Sequence, residues 1–118
     1  MTISLEQART VVDAALAHGT EQGFNPLTVA VLDPGGAVVA LARQDGSGNM
    51  RPDLAVAKAY GVLALGMTNR AIAARAADSP EFFTSVAVGV TGDASLNDEA
   101  AAVAGITAAG LVPVTGAE

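Results

Sequence analysis

The chain has no cysteine and no tryptophan, and only one tyrosine and three phenylalanines among its 118 residues. Without thiols there can be no disulfide scaffold, thiolate nucleophile, cysteine-ligated zinc or iron–sulfur cluster. Histidine occurs once, as His18, and lysine once, as Lys58. No three-ligand metal set is readable from the spacing, so no metal is expected. No stretch is long and apolar enough to span a bilayer. The start, Met1 to Glu6, lacks the basic region and apolar core of a secretory signal, so a cytoplasmic protein is expected. Bases are scarce too: six against twelve acids, for a net charge of −6. That balance argues against nucleic acid and anionic membranes as partners. No G-x-S-x-G, phosphate loop or dinucleotide fingerprint occurs.

What remains is small and apolar. Hydrophobic residues make up 51% of the chain, and alanine supplies 26 of them. The length suits one domain, residues 1–118. An Ala/Val core gains less on burial than one of Leu and Phe. A homo-oligomer, dimer or larger, is therefore expected, joined through the second helix or an exposed sheet edge.

Element signals are clear in places. Ser4 with Gln7 reads as a capping box opening a helix to about Gln22, with Gly23 and Pro26 ending it. Residues 27–32 and 37–42 read as strands around Asp33-Pro34-Gly35-Gly36, a hairpin turn. Arg43 to Met50 is a polar, glycine-rich loop. Pro52 and Asp53 open a second helix to Leu65, apolar on most sides. Thr68 caps a third helix, Asn69 to Ala77, and Ser79-Pro80-Glu81 leads a turn carrying Phe82 and Phe83. Residues 86–91 form the third strand, and Ser95 or Asn97 caps the last helix. Residues 111–118 read as a tail. The order α-β-β-α-α-β-α predicts an α+β fold with a small antiparallel sheet.

Lys58 stands at the margin of the second helix's packing face, where it either pairs with a carboxylate or reaches an anionic ligand. Arg43 and Arg51 flank the glycine-rich loop as a clamp for a carboxylate or phosphate, unless Arg43 pairs with Asp45 to hold the loop. Gly89 to Asp93, including Thr91 and Gly92, has the form of an anion nest. His18, Met50 and Met67 are chemically able to ligate haem iron, although a surface histidine and filler methionines are the plainer readings. Tyr60 reads as core or interface.

Taken together, Leu27 to Asp33 with Gly35-Gly36, Arg43-Gln44-Asp45-Gly46, Ala57-Lys58-Ala59-Tyr60, Gly89-Val90-Thr91-Gly92 and Asn97-Asp98-Glu99 resemble the GlcG/HbpS family, which includes the C-terminal domain of PduO-type proteins. The resemblance runs from about Ile3 to Leu111. It implies a layered fold with a central antiparallel sheet, oligomers built from dimers, and haem or corrinoid binding in some members. Asp33, Asp45, Lys58, Thr91, Gly92 and Asp98 match the family's pattern. One strand segment with a Gly-Gly-(Val/Leu)-Pro signature has no counterpart between Phe82 and Val86.

Two functions follow as expectations. One is a small-molecule-binding protein that holds haem or another anionic ligand among Arg43, Arg51, Lys58, Thr91 and Gly92. The other is a small metal-independent lyase or isomerase, with Lys58 as base or clamp and Asp33 or Asp45 carrying the proton. A ligand-free assembly protein fits if the loop after the hairpin packs shut.

Overall fold

The computed structural model describes residues 3–65, 72–76 and 86–114. Its elements run α1 (Leu5–Glu21), β1 (Thr28–Leu32), β2 (Val38–Arg43), α2 (Arg51–Leu65), β3 (Ile72–Ala76), β4 (Val86–Thr91), α3 (Ser95–Ala108) and β5 (Leu111–Val114). The fold is α+β. All described pairings are antiparallel, and the strand order is β2-β1-β4-β3-β5. Among the described residues no helix is long and apolar enough to cross a membrane.

Helix α1 starts as its sequence dictates. The Ser4 hydroxyl accepts from the Gln7 backbone N–H at 3.0 Å, and the Gln7 side chain accepts from the Ser4 N–H at 3.1 Å. The hairpin turn is held by Asp33, whose Oδ1 accepts from the Gly35 and Ala37 N–H groups at 2.9 and 3.0 Å.

The central strands are apolar on both faces because both faces are covered. Val29, Val31, Val86, Val88 and Val90 pack with Val11, Ala15, Ala101 and Ile106 beneath α1 and α3. Leu32 and Ala87 pack with Ala59 and Val62 beneath α2. Alternation along each strand sends odd and even residues to opposite layers. The scarcity of large side chains is matched by close backbone approach. A Cβ at Gly89 would overlap the Ala55 carbonyl of α2, and one at Gly105 would overlap the Val11 carbonyl of α1. Small residues thus set the interlayer distance.

Three expectations are corrected. Residues 72–76 are a strand rather than part of a helix Asn69–Ala77. The run Ile-Ala-Ala-Arg-Ala has fair helix propensity, but pairing with β4 and β5 on either side overrides it. Leu111–Val114 is strand β5, at the edge of the sheet among the described residues, rather than a tail, so the described sheet has five strands and not three. Finally, α3 is capped by Ala94 with no side-chain cap bond, and Ser95 is already its first helical residue. Met67, Thr68, Ser79-Pro80-Glu81, Phe82 and Phe83 lie outside the described residues, as does the region of the missing strand segment.

Candidate functional site

Register brings the candidate residues together at one end of the sheet. Thr28 of β1 lies between Arg43 of β2 and Thr91 of β4. The Thr28 hydroxyl bonds to the Ser47 hydroxyl at 2.8 Å, and both groups are buried. Arg43 donates to the Ser47 carbonyl at 2.7 Å, and this bond folds the polar loop back over the end of β2. Arg51, in the first turn of α2, donates to the Thr91 hydroxyl at 2.6 Å. Two helical turns on, Lys58 donates to the Val90 carbonyl at 2.9 Å and lies 3.5 Å from the Asp98 carboxylate.

Asp98 opens α3 from a buried position. It accepts from the Asp93 N–H at 2.9 Å. Burial pushes its carboxyl above the ordinary value of 3.8, outweighing the opposing effects of the Asp93 N–H and the Lys58 ammonium. Asp93 behaves oppositely. Hydrogen bonds from the Asn97 side chain and from the Asn25 and Ala94 backbones hold its carboxyl below 3.8. The asparagine expected as a cap thus supports the acid that anchors the turn.

The signs give a test. A carboxyl raised in the folded state contributes stability below 3.8 and loses it as pH rises through its folded value; a lowered one contributes above 3.8 and loses it as pH falls. Asp98→Asn removes the first dependence and leaves the second. Melting curves from pH 3 to pH 7 should therefore show Asp98→Asn gaining on the wild type as pH rises. A constant difference between the two would contradict a raised Asp98.

Arg43, Arg51, Lys58 and Thr91 are thus gathered, with Ser47, Thr28 and Asp98 added to them. Gly92 stands at the same end, but its role is close packing: a Cβ there would overlap the Pro26 carbonyl. Asp33 is at the opposite end of β1, occupied with the turn. Asp45 is exposed on the loop, and Arg43 bonds the Ser47 carbonyl rather than Asp45. Lys58 meets Asp98 instead of Asp33 or Asp45, so the proton-transfer arrangement expected from those acids is not formed. Asp98 was visible only as a helix-opening acid; its burial against Lys58 depends on how α2 and α3 flank β4. His18 stacks edge-on against Phe24 at 5.8 Å. Met50 is 67% exposed beside Arg51, and Tyr60 is exposed against the hairpin glycine Gly36.

Solved structures share this architecture. A Klebsiella pneumoniae protein, ORFY, matches at TM-score 0.81 and 18% identity, over 92% of this chain and 91% of that one. The PduOC–haem complex matches at 0.82 and 15%, over 95% and 98%. A double mutant of Streptomyces reticuli HbpS matches at 0.73 and 24%, over 91% and 86%. No curated protein sequence matches. A family model described as haem degrading protein HbpS-like matches residues 3–87, most of the chain, and the protein belongs to that HbpS-like family.

Proposed function

We propose that the protein binds a small ligand carrying carboxylates, with haem the first candidate, at the sheet end bounded by Arg43, Arg51 and Lys58. One observation carries this reading. Three of the six basic residues of a chain with net charge −6 converge on the Thr28–Thr91 end of the sheet. Each arginine has spare capacity. A guanidinium offers five N–H donors, and among the described residues the bonds to Ser47 and Thr91 leave most of them available. A forked, permanently charged donor suits a carboxylate. The family's description and the haem complex of a structural relative favour haem as the ligand.

The residues fit such a group in charge. Arg43 and Arg51 would hold its carboxylates, and the exposed thioether of Met50 lies next in sequence to Arg51. Haem would supply its own iron; among the described residues no cluster of His, Cys, Asp or Glu is placed to hold a metal ion. Thr28 and Ser47, bonded to each other and buried, fix the floor on which Arg43 rests.

Titration with haemin should give a saturable shift of the Soret band in the wild type. Arg43→Met, at an exposed position, should leave the fold intact and weaken binding by about tenfold, the scale of one charge-assisted contact at a partly wet site. No saturable shift in the wild type would reject haem. Equal affinity in Arg43→Met would remove the site from this end of the sheet.

A further inference from the structure

We infer, on the reading that Arg43, Arg51 and Lys58 receive a ligand carboxylate, that binding draws Lys58 away from Asp98 and that Asp98 takes up a proton in exchange. The two partners of this ion pair differ in freedom. The Lys58 side chain is 31% exposed and that of Asp98 only 5%. Lys58 ends a flexible stem, and a change of rotamer carries its ammonium toward solvent. Asp98 cannot follow. It is fixed in the first turn of α3 and by the Asp93 N–H, which its Oδ1 accepts at 2.9 Å. Its Oδ2 faces the ammonium at 3.5 Å, and among the described residues no other cation pairs with it. The shorter bond of the ammonium, at 2.9 Å, goes to the neutral Val90 carbonyl.

Among the described residues the surroundings offer no substitute cation. β4 and β5 carry no titratable side chain. Arg75 of β3 is in register with Val112, past the far end of α3. On α2, Arg51 is bonded to Thr91, and Asp53 and Tyr60 are exposed. Helix α1 meets α3 where Val11 touches Gly105; its Glu6, Arg9, Asp13 and Glu21 are exposed, and His18 stands against Phe24. The neighbouring charges in the chain, Asp93 and Glu99, have the wrong sign to replace an ammonium.

A buried carboxylate that loses its cation is costly, and a proton from solvent neutralises it. The charges then balance: the ligand carboxylate gains the ammonium, Asp98 gains one proton, and neither acid is left buried as an unpaired anion. Burial already raises the Asp98 carboxyl with Lys58 in place, and withdrawal of Lys58 raises it further. The bound state therefore holds more protons than the free one, so affinity falls as pH rises.

Haemin titrations of the wild type and Asp98→Asn, between about pH 6 and pH 8, test the coupling; the titration of haemin itself is common to both proteins and cancels in their ratio. Asp98→Asn should bind more tightly than the wild type at the upper end, because its Lys58 is already released. That advantage should shrink about tenfold toward the lower end, where the wild-type Asp98 is protonated on binding. Calorimetry in two buffers of different ionisation enthalpy should show the wild type taking up more protons per haemin than Asp98→Asn. Lys58→Met, which has no amine to withdraw, should match Asp98→Asn in both measurements of pH dependence. Haemin binding with the same pH dependence in the wild type and Asp98→Asn overturns the coupling and leaves the carboxylate site standing. So does a Lys58→Met protein that keeps the wild-type proton uptake. No saturable binding by the wild type at any pH rejects the site itself, and the coupling with it.

Discussion

Gly89→Ala should lower the melting temperature by about 10–20 °C, the consequence of a cost of about 3 kcal/mol or more. The added methyl has nowhere to go. It would overlap the Ala55 carbonyl, and the Ala59 backbone nitrogen closes the other side. Both are backbone atoms of a helix whose buried side is already alanine at 55 and 59, so no side chain can rotate away. The whole of α2 would have to lift from the sheet, carrying Arg51 away from Thr91 and Lys58 away from Val90. Ala55→Gly should not rescue the variant, because the obstructing atom is main chain. Thermal melts followed by circular dichroism decide the matter; a shift of only a degree or two would mean that α2 does not seat on Gly89.

Lys58→Met should cost about 1–3 kcal/mol, below the range for a fully buried pair because the lysine side chain is 31% exposed. Methionine keeps the helix propensity and the apolar stem. The loss comes from what is left behind: a buried Asp98 carboxylate and a Val90 carbonyl without its donor. Lys58→Met combined with Asp98→Asn should recover much of the stability, since the amide can still accept from the Asp93 N–H without carrying charge. Haemin affinity measured on this double variant then reports the contribution of Lys58 to ligand binding, separated from its contribution to folding. A double variant no more stable than Lys58→Met would deny the coupling between the two residues.

Local chemistry made part of this fold readable. The capping box at Ser4 and Gln7 and the turn at Asp33 to Gly36 depend on residues within a few positions of one another, and both form as their sequences suggest. The apolar run 86–91 could be buried on both sides only as a central strand. What escaped depends on distant partners. Nothing within Ile72–Ala76 marks it as a strand, since its state is decided by β4 and β5. Leu111–Val114 is short and contains Pro113, which an edge position accepts. The site divides along the same line. Arg43, Arg51, Lys58 and Thr91 drew notice as scarce polar residues beside apolar elements. The partner of Lys58 required knowing that α3 begins beside the end of β4, and no spacing in the chain encodes that.

The order of strands also bears on how the molecule assembles. β1 finds β2 across a short turn, an event that takes microseconds. Its other neighbour, β4, is about half the chain away. While a ribosome is still delivering α2 and β3, the hairpin is complete but one side of β1 is bare, and a bare apolar strand is prone to aggregate. Thr28 and Thr91 become neighbours only when that vacancy closes. The proposed ligand-binding end is therefore expected to be among the last parts of the molecule to exist, and free haemin added during refolding should accelerate nothing before β4 docks.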